Sequence, residues 1–143
     1  MGSYDGLKLI MNLSKQQSAV IAGMILGDAY LQPTGKHNAR LRLEHKQDHR
    51  EYLEWKARLL PQLFQGKATT LERIHPKTHQ TYRYIRWQSN ASPVLGRLRE
   101  QFYPDGKKKI PENLIKFLQD DIALAIWFYD DGKNKETPDY DNI

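Results

Sequence analysis

Two aspartates, Asp28 and Asp131, occupy the same place in two similar apolar stretches of the sequence. Asp28 is the eighth residue of IAGMILGDA, which spans 21–29, and Asp131 is the eighth residue of LAIWFYDDG, which spans 124–132. If the stretches pack side by side, both carboxylates arrive at the same end of the pair. Two carboxylates in close contact repel each other unless a cation lies between them. A divalent ion that prefers oxygen ligands, such as Mg²⁺, suits that position.

The first stretch has the pattern of a helix that approaches another helix closely. Ser14 and Gln17 predict a capping box, followed by a helix over 15–27. Gly23 and Gly27 within this helix each cost about 1 kcal/mol relative to alanine. Small residues four positions apart leave a flat strip on which a second helix can pack with its backbone nearly touching. The glycines therefore predict a close helix contact.

The second stretch shares the aspartate but lacks the glycines. Ile126 and Asp130 stand where the first stretch has glycine, so its packing strip is expected from Ala123 and Ala125. We therefore expect less close packing than between two glycine-bearing helices. An ordinary buried helix with tolerated glycines would explain one such stretch alone. The matching offset of the two aspartates favours a paired arrangement.

The segment after the first stretch predicts a strand and a helix. Apolar and polar residues alternate over 38–45, which predicts a strand with Arg40 and Arg42 on the face opposite the buried one. Apolar residues at helical spacing predict a helix within 48–64, kinked or ended by Pro61.

Turn signals delimit the remaining elements. The PKTHQ turn predicts a hairpin over 69–88, and Ser92 followed by Pro93 predicts the start of another helix. A turn-rich basic connector follows, with a short helix to about residue 119. The order is helix, strand region, helix, hairpin and helix, with little apolar content after the second stretch.

The charge distribution points to a polyanionic partner. The chain carries a formal net charge of +5, and residues 36–109 hold 17 Lys or Arg against seven Asp or Glu. Tyr82, Tyr84 and Trp87 lie among these arginines, which favours nucleic acid over a membrane surface, since no apolar stretch reaches the length of a bilayer span. From charge alone, a merely solvated surface is about as good an interpretation. Residues 112–143 are instead acidic.

Two further residue types limit the chemistry. Cysteine is absent, so any metal must be held by oxygen or imidazole. The histidines show no metal-ligand spacing and are expected in surface positions or turns. They are His37, His45, His49, His75 and His79.

The leader MGSYDG lacks the features of a signal peptide, which predicts an intracellular protein. A mitochondrion, a chloroplast and a bacterial or archaeal cytoplasm are not distinguished.

The two nine-residue stretches resemble the LAGLIDADG motif of homing endonucleases. The segment KKKIPENLIKFLQDDIALAIWFYDDGK is similar to the linker and second motif of two-motif, intron-encoded members from yeast mitochondria. The resemblance covers about residues 14–133 and is most specific over 107–133.

This resemblance implies an α+β fold. It consists of an αββαββα half with a curved antiparallel DNA-binding sheet, joined to the first helix of a second, pseudo-symmetric half. The chain ends about a dozen residues after the second motif, so we expect one piece of a split or nicked enzyme, or else a fragment or degenerate remnant of one. A second chain with the remaining half, or self-association, is expected to cover the second motif helix. The implied divisions are a tag or disordered leader at 1–13, the first half at 14–103, a basic linker with a short helix at 104–119, the second motif helix at 120–133 and a tail at 134–143.

The resemblance also implies site-specific cleavage of double-stranded DNA with Mg²⁺, or Mn²⁺ in its place. Carried over by position, Asp28 and Asp131 bind the metal, assisted by the carbonyl groups of Gly27 and Asp130. Lys108 would polarise the attacking water or the scissile phosphate. Lys107 or Lys109 would replace it under a shifted alignment, and without the resemblance all three read as solvated lysines.

The expected DNA contacts come from basic residues of the strands, turns and linker. The sequence leaves open which face of the hairpin meets the DNA. The alternative function is a non-catalytic nucleic-acid binder, such as an intron maturase that acts on intron RNA. The candidate DNA-binding residues are Lys36, Arg40, Arg42, Lys77, Arg83, Arg86, Lys107 and Lys109.

Overall fold

Four helices and four strands make up the part of the chain that the computed structural model describes, which is residues 13–114 and 118–136. The first seven elements follow the order αββαββα, and the eighth is the added helix, so the predicted α+β half is confirmed. The elements are α1 (Lys15–Leu26), β1 (Tyr30–Pro33), β2 (Ala39–Lys46), α2 (Arg50–Arg58), β3 (Thr69–Ile74), β4 (Thr81–Gln88), α3 (Pro93–Phe102) and α4 (Asp121–Glu136).

Helix α1 begins with the predicted capping box. The Ser14 hydroxyl accepts a hydrogen bond from the backbone N–H of Gln17 at 3.0 Å, and the Gln17 side chain accepts one from the Ser14 N–H at 3.1 Å. Every residue from Ala19 to Ile25 is buried, which explains why apolar residues occupy all sides of this helix.

None of the helices in the described ranges is long and apolar enough to cross a membrane.

The four strands form one antiparallel sheet in the order β1-β2-β4-β3. Leu41, Leu43 and Ile85 point to a packed face, which forms the core together with α1, α2 and α3. The alternate residues of β2 and β4 point to the opposite, exposed face. The predicted strand and hairpin are confirmed, whereas the short strand β1 was not predicted.

The predicted ends of two helices can be compared with the structure. Helix α2 ends at Arg58, three residues before Pro61, which agrees with the prediction that this proline ends the regular helix. Helix α4 continues to Glu136, three residues past the predicted end of the second motif helix at residue 133. Lysine and glutamate in this last segment are good helix formers, and they carry the helix past Gly132.

The predicted short helix before residue 119 includes 115–117, and the predicted leader and the last residues include 1–12 and 137–143. These three ranges lie outside the described residues.

Candidate active site and nucleic-acid interface

Helices α1 and α4 run in the same direction and touch through small residues. A Cβ atom on Gly23 would overlap the backbone of Ala123, and one on Gly27 would lie only 2.5 Å from the Cβ of Asp130. The predicted close contact through the glycines is therefore confirmed, as is the role of Ala123. The role given to Ala125 is wrong, because this residue is exposed. The expectation that the pair packs less closely than two glycine-bearing helices stays a prediction.

The contact between Gly27 and Asp130 joins equivalent positions of the two motif stretches. Each is the seventh residue of its stretch. The next residues along the chain, Asp28 and Asp131, are therefore equivalent as well. Asp28 is half-buried and Asp131 is exposed.

Asp28 lies directly after α1, beside a buried histidine. Its Oδ2 is 3.5 Å from Nδ1 of His45, and the His45 side chain is 2 % exposed. Asp28, His45 and Asp130 each offer one ligand atom, and these atoms lie within 4.8 Å of one another. Carboxylate and imidazole are donor types that a divalent cation such as Mg²⁺ or Mn²⁺ accepts. In this group, however, the Asp130 carboxylate is already engaged by Lys56 and Tyr52, and the predicted ligand Asp131 is not a member. The expectation that His45 is a surface or turn histidine is wrong.

Asp130 is fully buried and held by two side chains of α2. The Lys56 Nζ lies 3.1 Å from Oδ2 and 3.4 Å from Oδ1, and the Tyr52 hydroxyl donates to Oδ1 at 2.7 Å. Burial lowers the pKa of Lys56, and the Asp130 carboxylate opposes this shift. Burial and the hydrogen bond to Asp130 raise the pKa of Tyr52, so its hydroxyl keeps the proton that it donates. The Asp130 carboxylate thus has its own cation.

Lys108 reaches the same end of the helix pair. Its Nζ donates a hydrogen bond to the carbonyl oxygen of Ala29 at 3.2 Å. Partial burial of the ammonium group lowers the Lys108 pKa, and the carboxylates of Asp28 and Asp130 oppose this shift. All three lysines at 107–109 are exposed overall, and Lys109 pairs with an aspartate of the linker at 2.7 Å.

Arginines from three strands lie on the exposed face of the sheet. Residues that are directly opposite in the antiparallel register share a face. Glu44 of β2 lies opposite Arg86 of β4, so the Arg86 side chain is on the same face as Arg40 and Arg42. Arg73 of β3 joins this set through its ion pair with Glu44.

Arg83 lies on the other face of the hairpin. It is three residues before Arg86 in β4, and it pairs with Glu72 of β3 at 3.2 Å. Arg83 and Arg86 therefore lie on opposite faces of the hairpin. Lys36 and Lys77 lie in the exposed turns of β1–β2 and β3–β4, and Lys107 and Lys109 lie in the exposed segment after α3.

Sequence reasoning missed His45 and Lys56, although a signal for each was present. His45 continues the buried alternation of β2, two residues after Leu43. Lys56 follows the buried Leu53 at helical spacing and therefore lies on the apolar side of α2. A polar residue at a position that the pattern assigns to the core needs a buried partner. The identity of that partner comes only from the fold.

Comparisons with known proteins agree with this geometry. A model of the LAGLIDADG DNA endonuclease family matches residues 18–140. Protein RecA of Mycolicibacterium fallax is 35% identical over 123 residues, which cover 84% of this chain and 26% of that protein. Probable intron-encoded endonuclease 1 of Wickerhamomyces canadensis is 30% identical over 130 residues, which cover 90% of this chain and 54% of that protein.

A solved structure of the homing endonuclease I-WcaI bound to its DNA recognition sequence is also similar. Its TM-score is 0.73 at 29% sequence identity, and the match covers 84% of this chain and 52% of that chain. The chain thus spans from about a quarter to about half the length of these relatives. The comparisons confirm the resemblance that the two motif stretches indicated.

Proposed function

We propose that this chain, which belongs to the LAGLIDADG DNA endonuclease family, carries a site for metal-dependent, site-specific cleavage of double-stranded DNA. The observation that carries this proposal is the contact between Gly27, at the end of α1, and Asp130, within α4. Asp28 and Asp131 follow that contact at equivalent positions. They are the proposed metal ligands, and the backbone carbonyls of Gly27 and Asp130 are proposed to assist them.

The residues around this contact suit the hydrolysis of a phosphodiester. When bound, Mg²⁺ or Mn²⁺ would supply an acidic water and a positive charge beside the leaving oxygen. Lys56 neutralises Asp130, so this third carboxylate adds no uncompensated charge to the site. The Lys108 ammonium lies near Asp28 and is proposed to hold the scissile phosphate or the attacking water by hydrogen bonds.

Duplex DNA is the proposed ligand of the exposed sheet face. Arg40, Arg42 and Arg86 share that face, and arginine side chains can read guanine edges as well as bind phosphates. The similarity to I-WcaI, whose structure contains its DNA recognition sequence, supports duplex DNA rather than RNA. The lysines of the turns and linker are proposed as phosphate contacts. They are Lys36, Lys77, Lys107 and Lys109.

A further polypeptide surface is proposed to cover one side of α4. Phe128 is 64% exposed and Tyr129 is 48% exposed on this helix. Adjacent exposed aromatic residues on a helix that carries a motif aspartate are typical of an interaction surface. When the chain is studied in isolation, we propose that a second copy of the same chain covers this side of α4.

The experiment first selects a tightly bound duplex from a randomised pool and then measures its cleavage in Mg²⁺. We expect Asp28→Asn and Asp131→Asn to retain binding and to lose cleavage. Asp121→Asn, which changes an exposed acid at the start of α4, is the matched control and should still cleave. Cleavage retained by both motif variants would reject the assignment. If the unaltered chain binds structured intron RNA more tightly than duplex and cuts neither, the non-catalytic alternative is correct.

A further inference from the structure

The arginines of the exposed sheet face are held in place by acceptors from the protein itself. On one side, Gln32 of β1 accepts hydrogen bonds from Arg40 Nε at 2.8 Å and from Arg42 Nη2 at 3.2 Å. On the other side, Glu44 of β2 contacts Arg73 and Arg86. These contacts restrict four long side chains that would otherwise be mobile on a solvated surface.

Glu44 binds its two arginines with opposite oxygens. Both Nε and Nη2 of Arg86 lie 2.8 Å from Oε2, and Nη2 of Arg73 lies 2.6 Å from Oε1. The Arg73 guanidinium also lies 4.8 Å from the ring centre of Tyr84. Glu44 therefore links three strands, since Arg86 is on β4 and Arg73 is on β3.

The geometry at Arg86 leaves one edge of the guanidinium available. Glu44 occupies the edge formed by Nε and Nη2. The remaining edge, which includes Nη1, is the one that can donate two hydrogen bonds to O6 and N7 of a guanine. A fixed guanidinium loses less conformational entropy than a mobile one when it binds a base whose acceptors match its orientation, and it cannot turn to match a wrong base.

Glu44 also reduces the positive charge of this face. Among the strand residues in the described ranges it is the single acidic side chain on the exposed face, where it lies among five basic residues. Its carboxylate therefore opposes attraction to phosphates of any sequence. The five basic residues are Arg40, Arg42, Lys46, Arg73 and Arg86.

We propose that Glu44 is a specificity-determining positioning residue that fixes Arg73 and Arg86 for base reading and limits sequence-independent binding to duplex DNA. This inference rests on the proposed DNA-binding function of the sheet. It assigns Glu44 a role that its negative charge alone would not suggest, since an acid on a DNA-binding face is expected simply to weaken binding.

The test compares Glu44→Gln with Glu72→Gln, which removes the same charge from the opposite face of the hairpin. The two probes are a duplex selected by the unaltered chain and a short duplex of random sequence, each titrated over a range of salt concentrations. For Glu44→Gln we expect tighter binding to the random duplex, a salt slope steeper by about one unit, and about a tenfold loss of discrimination between the probes. Glu72→Gln should match the unaltered chain in all three.

Glu44→Asp separates position from charge. It keeps the carboxylate but is one methylene shorter, so it cannot contact both arginines. We expect it to lose discrimination while it keeps the original salt slope. Equal behaviour of Glu44→Gln and Glu72→Gln, with binding by the unaltered chain intact, would overturn this inference alone. Failure of the unaltered chain to bind any duplex would overturn the proposed function and this inference with it.

Discussion

Lys56 and Asp130 form an ion pair that is closed off from solvent. The Lys56 Nζ lies 3.1 Å from Oδ2 of Asp130, and neither side chain has exposed surface. The pair joins α2, which packs on the sheet, to α4, which carries the second motif aspartate. It therefore connects the proposed DNA-binding face to the proposed metal site through two adjacent helices.

Removal of the lysine should strongly destabilise the fold. Lys56→Met leaves the buried Asp130 carboxylate without its cation, and we expect the free energy of unfolding to fall by about 3–5 kcal/mol. The double variant Lys56→Met/Asp130→Asn should recover part of this loss, because no buried charge then remains. Urea unfolding measures all three proteins. Arg58→Met changes a 73% exposed cation on the same helix and should cost at most about 1 kcal/mol. A double variant no more stable than Lys56→Met would contradict this account.

Gly27→Ala should separate the motif helices. The added Cβ would lie 2.5 Å from the Asp130 Cβ. Overpacking at a rigid contact costs about 1–3 kcal/mol. Gly27 caps the end of α1 rather than lying within the helix, so no gain in interior helix propensity offsets this cost. We expect a lower stability and a larger relative loss of cleavage than of DNA binding. Ala125→Gln places extra atoms on the exposed side of α4 and serves as the control, with cleavage retained. Normal cleavage by Gly27→Ala would show that the close contact is dispensable.

Lys108 should contribute more to cleavage than either of its lysine neighbours. It alone of the three donates to the Ala29 carbonyl, next to Asp28. We expect Lys108→Met to reduce the single-turnover cleavage rate by about a hundredfold, within the range for a group that assists proton transfer. Lys107→Met and Lys109→Met remove the same charge without removing this contact, so they should change mainly DNA affinity. Equal rate losses in the three variants would assign the effect to charge alone.

Arg86 and Arg83 test which face of the hairpin meets DNA. Both are on β4, but their side chains lie on opposite faces. We expect Arg86→Gln to weaken binding to the selected duplex by about tenfold, because a base or phosphate contact is lost. Arg83→Gln removes the same charge and should leave affinity unchanged. Fluorescence anisotropy measures both, and the reverse order of effects would place the DNA on the other face.

The elements that depend on neighbouring residues could be predicted from the sequence. Ser14 and Ser92 cap their helices as expected, because capping acts over three positions. The PKTHQ turn defines the hairpin for the same reason. The motif stretches also predicted the contact of α1 and α4, because the matching offset of their two aspartates favoured a paired arrangement over two separate buried helices.

The features that sequence reasoning missed depend on contacts between distant segments. Strand β1 has only four residues and exists through its pairing with β2, where Leu31 lies opposite Leu41. The partner of Lys56 is 74 positions away, and no local pattern identifies it. The face of the hairpin likewise depends on the register between β2 and β4, since a shift of one residue would exchange Arg86 for an apolar neighbour.

The exposed aromatic residues of α4 lead to the last prediction. Phe128 is 64% exposed, and its ring stacks on Trp127 with the ring centres 5.3 Å apart. Burial of such apolar area favours association by about 25 cal/mol per Å². We expect the isolated chain to self-associate with increasing concentration in sedimentation experiments, and we expect Phe128→Glu to shift it to a monomer. Ile74→Glu changes a residue that is 67% exposed at the end of β3 and should leave the association unchanged. A chain that stays monomeric at every concentration would show that this face needs a different partner, and equal effects of the two variants would show that association uses another surface.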